Sequence, residues 1–191
     1  MNLEDTSCPA FPQLKFPITP ERFWRVFSSK LHAELHPMTL DAELRYNNNW
    51  TPYIIDFLAR LAPQFSCIGE PSYRGIDVPY FDRTGHDWSE WAMEAAIEVE
   101  NRDRTWLEEI SKLLLLNAGL KVLIAYENDP KTAHEMLARF PAIYHSRKYN
   151  NAAGWLFIFG PRTLPPTHDF SAYTFDGTRI LDITDGLRIL V

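Results

Sequence analysis

The chain has 191 residues, enough for one domain of roughly 100–200 residues with a sizeable core. Hydrophobic residues at 46%, aromatics at 14% and charged residues at 23% exclude a largely disordered chain. Nineteen Lys and Arg against 25 Asp and Glu leave −6, so no global basic field marks a nucleic-acid binder.

The first residues, Met1 to Cys8, carry acids where a secretory signal carries bases, and no apolar run of signal length follows. The apolar stretch Leu113–Tyr126 is broken by Asn117, Gly119 and Lys121 and falls short of the ~20 residues of a membrane span. Both features predict a cytoplasmic protein without a membrane partner. Cys8 and Cys67 are too few for a disulfide scaffold or a structural zinc site and read as reduced packing thiols.

Pro9, Pro12, Pro17 and Pro20 make residues 1–20 an extended arm, which packs through Phe11 and Phe16. Residues 21–191 read as a single domain with its core in about 21–160. Phe23, Trp24, Phe27 and Leu31 form the stripe of an amphipathic helix from Glu21 to about Glu34. Trp50–Leu61 repeats the pattern with Ile54, Ile55, Leu58 and Leu61 and ends before Pro63. The period then drops to 2: Ile76, Val78 and Tyr80 alternate with Gly75, Asp77 and Pro79, predicting a strand over Tyr73–Phe81. Glu94–Glu100 alternates likewise, with Glu98 and Glu100 on one face. Next come a helix over Arg104–Ala118, a buried strand over Leu120–Tyr126 and a helix over Lys131–Phe140. Strands over Gly154–Phe159 and Ser171–Phe175 close the series, the second in a C-terminal β extension. This order gives an α/β chain with a mixed central sheet flanked by helices.

The acidity is local. From Asp82 to Glu109 there are nine acids against three bases, which accounts for the whole −6. The run Ala95-Ala96-Ile97 is apolar until Glu98-Val99-Glu100, so the strand presents carboxylates at its C-terminal end, where ligands of open α/β sheets commonly sit. Asp77 is the lone acid of its own strand and comes close to Glu98 if the two strands are neighbours. Carboxylates about 4 Å apart repel by roughly 4 kcal/mol at an effective dielectric of 20, and a hard divalent ion such as Mg²⁺ offsets this. On the following helix Glu109 falls between Leu113 and Leu116, and Lys112 is within about 60° of it, near enough for an i, i+3 pair. Both could reach back toward Glu98 and Glu100.

With an acid at 77, Glu98-Val99-Glu100 ending the next strand, and Glu109 and Lys112 on the helix after it, the chain resembles the PD-(D/E)XK nuclease superfamily. The likeness spans roughly Glu21 to Phe159 and implies that superfamily's restriction-endonuclease-like αβββαβ core. Ile76 stands in place of the name-giving proline and Glu100 in place of the lysine. The resemblance implies a Mg²⁺- or Mn²⁺-dependent hydrolase of phosphodiesters. Asp77, Glu98 and the Val99 carbonyl would hold the metal, Glu100 or Lys112 would serve the attacking water, and Glu34 on the first helix would be an additional acid. The implied partner is a nucleic acid, DNA ahead of RNA, with homodimers for cutting two strands. Residues between Met136 and His168 include Arg139, Arg147, Lys148 and Arg162 and no acid, interspersed with Tyr144, Tyr149 and Trp155. Bases among aromatics suit phosphate contacts and stacking, with Arg147, Lys148 and Tyr149 as the nucleic-acid candidates.

Two rivals stand beside this reading. His32-Ala33-Glu34-Leu35-His36 has two histidines at i, i+4, but a zinc hydrolase needs its glutamate directly after the first histidine. A nuclease-fold protein that binds nucleic acid or protein without cleaving is favoured by the missing motif lysine.

Overall fold

A computed structural model of the chain describes residues 17–35, 50–82, 92–100, 106–127, 129–146, 154–160, 170–185 and 188–189. Most of the proline-rich arm, together with Arg147, Lys148, Tyr149, Cys8 and His36, lies outside the described residues. The helices are α1 (Pro20–Leu35), α2 (Trp50–Leu61), α3 (Trp106–Leu115) and α4 (Pro130–Ser146), and a short 3-10 turn (Ala62–Phe65) follows α2. The strands are β1 (Ile68–Gly69), β2 (Val78–Asp82), β3 (Ala92–Glu100), β4 (Leu120–Tyr126), β5 (Gly154–Gly160), β6 (Ser171–Phe175), β7 (Ile180–Asp182) and β8 (Arg188–Ile189).

All eight strands join one mixed sheet in sequence order. The pairs β3/β4 and β4/β5 are parallel, and every other neighbouring pair is antiparallel. The parallel strands are joined through α3 and α4, so their carboxyl ends share one edge, as crossover connections require.

Strand alternation sorts the side chains to two cores. Val78, Tyr80, Ile97, Val99, Val122 and Ile124 face α1 and α2, where Phe23, Phe27, Leu31, Ile54 and Leu58 are buried. Ala96, Leu123, Ala125, Trp155 and Phe157 face α3 and α4, where Ile110, Leu113, Leu137 and Phe140 are buried. Helices therefore cover both faces, which is why β4 is buried along its whole length. The α1 stripe read from the sequence is the buried one, with Thr19 Oγ1 accepting from the Arg22 N–H at 3.2 Å ahead of the first turn and Pro20 as its first residue. Trp24 donates from Nε1 to the Thr184 carbonyl at 3.1 Å, tying this layer to the chain after β7. Tyr80 donates to the Leu58 carbonyl at 2.6 Å and ties α2 to β2.

Three boundaries differ from the sequence expectation. The strand expected from Tyr73 begins only at Val78. Ser72, Arg74 and Gly75 take positive φ, and Ser72 N–H donates to the Asp77 carbonyl at 2.7 Å, so residues 72–77 form a turn despite their alternating pattern. The helix expected over Arg104–Ala118 is described only over Trp106–Leu115, since Leu116 N–H returns to the Leu113 carbonyl and the chain then enters β4. Conversely, α4 runs to Ser146, past Phe140 and through Pro141. Proline in a helix interior costs about 3 kcal/mol. Phe140, wholly buried, and the packed Ile143 and Tyr144 supply apolar contact on both sides of it.

Candidate functional site

The site is built where β2 and β3 part. Their register runs from Asp82↔Ala92 to Val78↔Ile97, with an irregularity between Tyr80 and Phe81 at which the register skips Glu94. One further step puts Asp77 opposite Glu98. Asp77 is not in the strand but in the turn before it, and its Oδ2 accepts the Val99 N–H at 2.8 Å. The carboxylate that the sequence assigns to a metal thus also finishes the pairing of β2 with β3.

Glu98 follows Ala96 on the face toward α3 and is only 1% exposed. Its Oε1 has no hydrogen-bond donor among the described residues. Oε2 is met by the Lys112 ammonium at 2.9 Å, as an ion pair without well-directed hydrogen-bond geometry. The carboxyl is raised to about 8: burial is the main cause, Lys112 opposes it, and the negative charges of Asp77 and Glu109 add to it. Lys112 is held in turn by Glu109 Oε2, three residues back on α3, and donates to the Gly75 carbonyl at 2.8 Å. Burial lowers the proton affinity of the ammonium, but the bonds to Glu109 and Glu98 outweigh this and raise it.

The structure therefore gathers Asp77, Glu98, Val99, Glu109 and Lys112 at one sheet end. Glu100, half-buried, lies two residues on and projects to the same face as Glu98, with Ala125 as its register partner. Glu34 does not join them. Its carboxylate accepts from Arg60 at 2.8 and 3.2 Å and from the Tyr53 hydroxyl at 3.0 Å, in the α1/α2 layer that covers the other sheet face. The Arg60 bond holds Glu34 below the usual carboxylate range.

Sequence reading missed the Gly75 carbonyl as a member of the site. Its signal was the Tyr73-Arg74-Gly75 turn, where Gly75 takes φ +80°. It also gave no role to Lys121, a lysine inside the apolar run of β4. Lys121 is 1% exposed, its ammonium lies 5.3 Å from the centre of the Trp155 ring, and burial pulls it down to about 8. It pairs in register with Ala96, one strand over from β3 and two positions before the level of Glu98.

No group of three or more His, Cys, Asp or Glu side chains able to hold a metal occurs among the described residues. Asp77 and Glu98 still offer the one or two carboxylates that Mg²⁺ typically takes, and the donorless, buried Oε1 of Glu98 is the kind of atom a cation satisfies. No described helix is long and apolar enough to cross a membrane. No protein-family model, curated protein or solved structure matches the chain.

Proposed function

We propose that the chain is a divergent nuclease of the PD-(D/E)XK type, hydrolysing phosphodiesters of a nucleic acid with the help of a divalent metal. The observation that carries this reading is Glu98: a carboxylate buried at the carboxyl end of a parallel strand, opposite Asp77, with a lysine at 2.9 Å. Burying such a group costs several kcal/mol, and a carboxyl strongly perturbed by burial beside a specific charged partner marks a candidate functional site. The order α1, β1, β2, β3, α3, β4, with α2 added after α1, supports the αβββαβ core of that superfamily.

Asp77 and Glu98 would hold the ion, joined by the Val99 carbonyl. When bound, Mg²⁺ or Mn²⁺ polarises the phosphate and lowers the pKa of its water. Lys112, whose side chain is 36% exposed, presents positive charge to a phosphate oxygen. Glu100, at the strand end, is the group that accepts a proton from the attacking water. Glu109 positions Lys112. The contribution of Arg147, Lys148 and Tyr149 to binding the nucleic acid rests on the sequence alone, as does the preference for DNA.

The test is incubation of single-stranded, duplex and branched DNA and RNA with Mg²⁺ or Mn²⁺. Cleavage that disappears in Glu98→Gln and Asp77→Asn supports the reading. One observation favours a second reading, a nuclease-fold module that binds without cutting: the charge between Glu98 and Glu109 is already met by a lysine, and no third acid among the described residues completes a ligand set. Survival of every substrate despite metal binding would establish that second reading and end the first.

A further inference from the structure

The Lys112 ammonium faces three oxygens: Glu98 Oε2 at 2.9 Å, Glu109 Oε2, and the Gly75 carbonyl at 2.8 Å. The Gly75 contact is a hydrogen bond, while the two carboxylates hold the ammonium as ion pairs. Two carboxylates and a carbonyl around one centre are also what a hard divalent cation takes. At Glu98 the lysine thus supplies the positive charge that an ion would supply.

Exposure orders the cluster. The Lys112 side chain is 36% exposed, Glu109 21% and Glu98 1%. A cation arriving from solvent meets the ammonium before it meets Glu98. The two cannot share Glu98 Oε2, because like charges within about 4 Å repel strongly in so buried a setting. Glu109 and Gly75 keep their hold when Glu98 lets go, and the flexible four-carbon stem of lysine allows the shift.

We propose that Lys112 is the resident counter-ion of Glu98, which a divalent cation displaces, the ammonium withdrawing to Glu109 and the Gly75 carbonyl. The proposal rests on the metal-site reading above and goes beyond it by making ion loading an exchange. Without the ion, Glu98 is compensated by the lysine or by a proton and stays closed to solvent. With it, the ammonium is held by Glu109 and the Gly75 carbonyl alone.

Calorimetric titration of Mn²⁺ into wild type, Lys112→Met and Glu98→Gln tests the exchange. Removing one positive charge about 4 Å away should tighten Mn²⁺ binding at least about tenfold in Lys112→Met. Glu98→Gln should abolish it. Lys112→Gln, which keeps a donor for Glu98, replaces Lys112→Met if circular dichroism shows that the methionine loosens the fold. Through-space repulsion alone would also favour Lys112→Met, so a second readout follows the lysine itself. Acylation of Lys112 by an amine-reactive ester, read by peptide mass spectrometry, should speed up on adding Mn²⁺ to wild type and stay constant in Glu98→Gln.

Binding by wild type with no gain in either neutral variant, or binding with unchanged Lys112 acylation, overturns the exchange and leaves the metal site standing. Absence of binding in wild type and variants alike overturns both. Binding in Lys112→Met alone, with none in wild type, also overturns the exchange, because the lysine then blocks the ion and is not displaced by it.

Discussion

Glu98→Gln should remove a pH dependence that the buried carboxylate imposes on folding. In the folded chain Glu98 titrates at about 8 against an ordinary 4.5, mainly because burial penalises its charged form. Below about pH 4.5 both states hold the proton, and the group contributes its full stability there. As pH rises further, the unfolded chain releases the proton that the folded chain keeps, so stability falls until about pH 8 and then levels off. At about 1.4 kcal/mol per unit, the loss across the window is on the order of 5 kcal/mol. An amide at position 98 has the same shape and does not titrate. Guanidinium unfolding of wild type and Glu98→Gln from about pH 5 to about pH 9, with a chelator present, reads the difference. The two should lie close at the acid end, with the variant the more stable by several kcal/mol at the alkaline end. Adding Mn²⁺ to wild type should flatten its slope, since an ion favours the ionised carboxylate. A difference that is constant across the range would refute the reasoning, because it would mean that Lys112 fully offsets the cost of burial.

Other perturbations separate structure from chemistry. Asp77→Ala removes the acceptor of the Val99 N–H and should cost about 1–2 kcal/mol in urea unfolding, whereas Asp77→Asn keeps an acceptor and should recover most of that while still losing Mn²⁺ binding. Glu34→Ala breaks contacts to Arg60 and Tyr53 that are partly exposed, so a loss of about 0.5–1 kcal/mol with unchanged Mn²⁺ affinity is expected by calorimetry and melting. Phe140→Ala empties the centre of a ring cluster made with Tyr144, Trp155, Phe157 and Phe175 and should cost about 3–5 kcal/mol, and a loss below about 1 kcal/mol would show that the cluster repacks.

Wherever a pattern was carried by one element, the sequence was enough. The Phe23, Trp24, Phe27 and Leu31 stripe of α1 and the bounds of α2, β4 and β6 were legible because burying one face of a helix or strand imposes a local period. The turn at 72–77 was not, since its alternation continues into β2 and only the backbone, with three positive φ angles, breaks it. Proline pointed against the long α4, and packing on both sides of Pro141 overrode it.

The spacing Glu98-Val99-Glu100 and the i, i+3 pair of Glu109 with Lys112 are properties of the chain itself, and they were enough to single out the acids. What neutralises Glu98 was decided by tertiary structure. Its cluster joins Asp77 to Val99 across 22 positions and Lys112 to Gly75 across 37. The reach of a side chain over such separations, and the loss of water that lifts Glu98 to about 8, depend on which surfaces pack together. Desolvation sums over every neighbour in space, and neighbours in space are what a one-dimensional pattern does not carry.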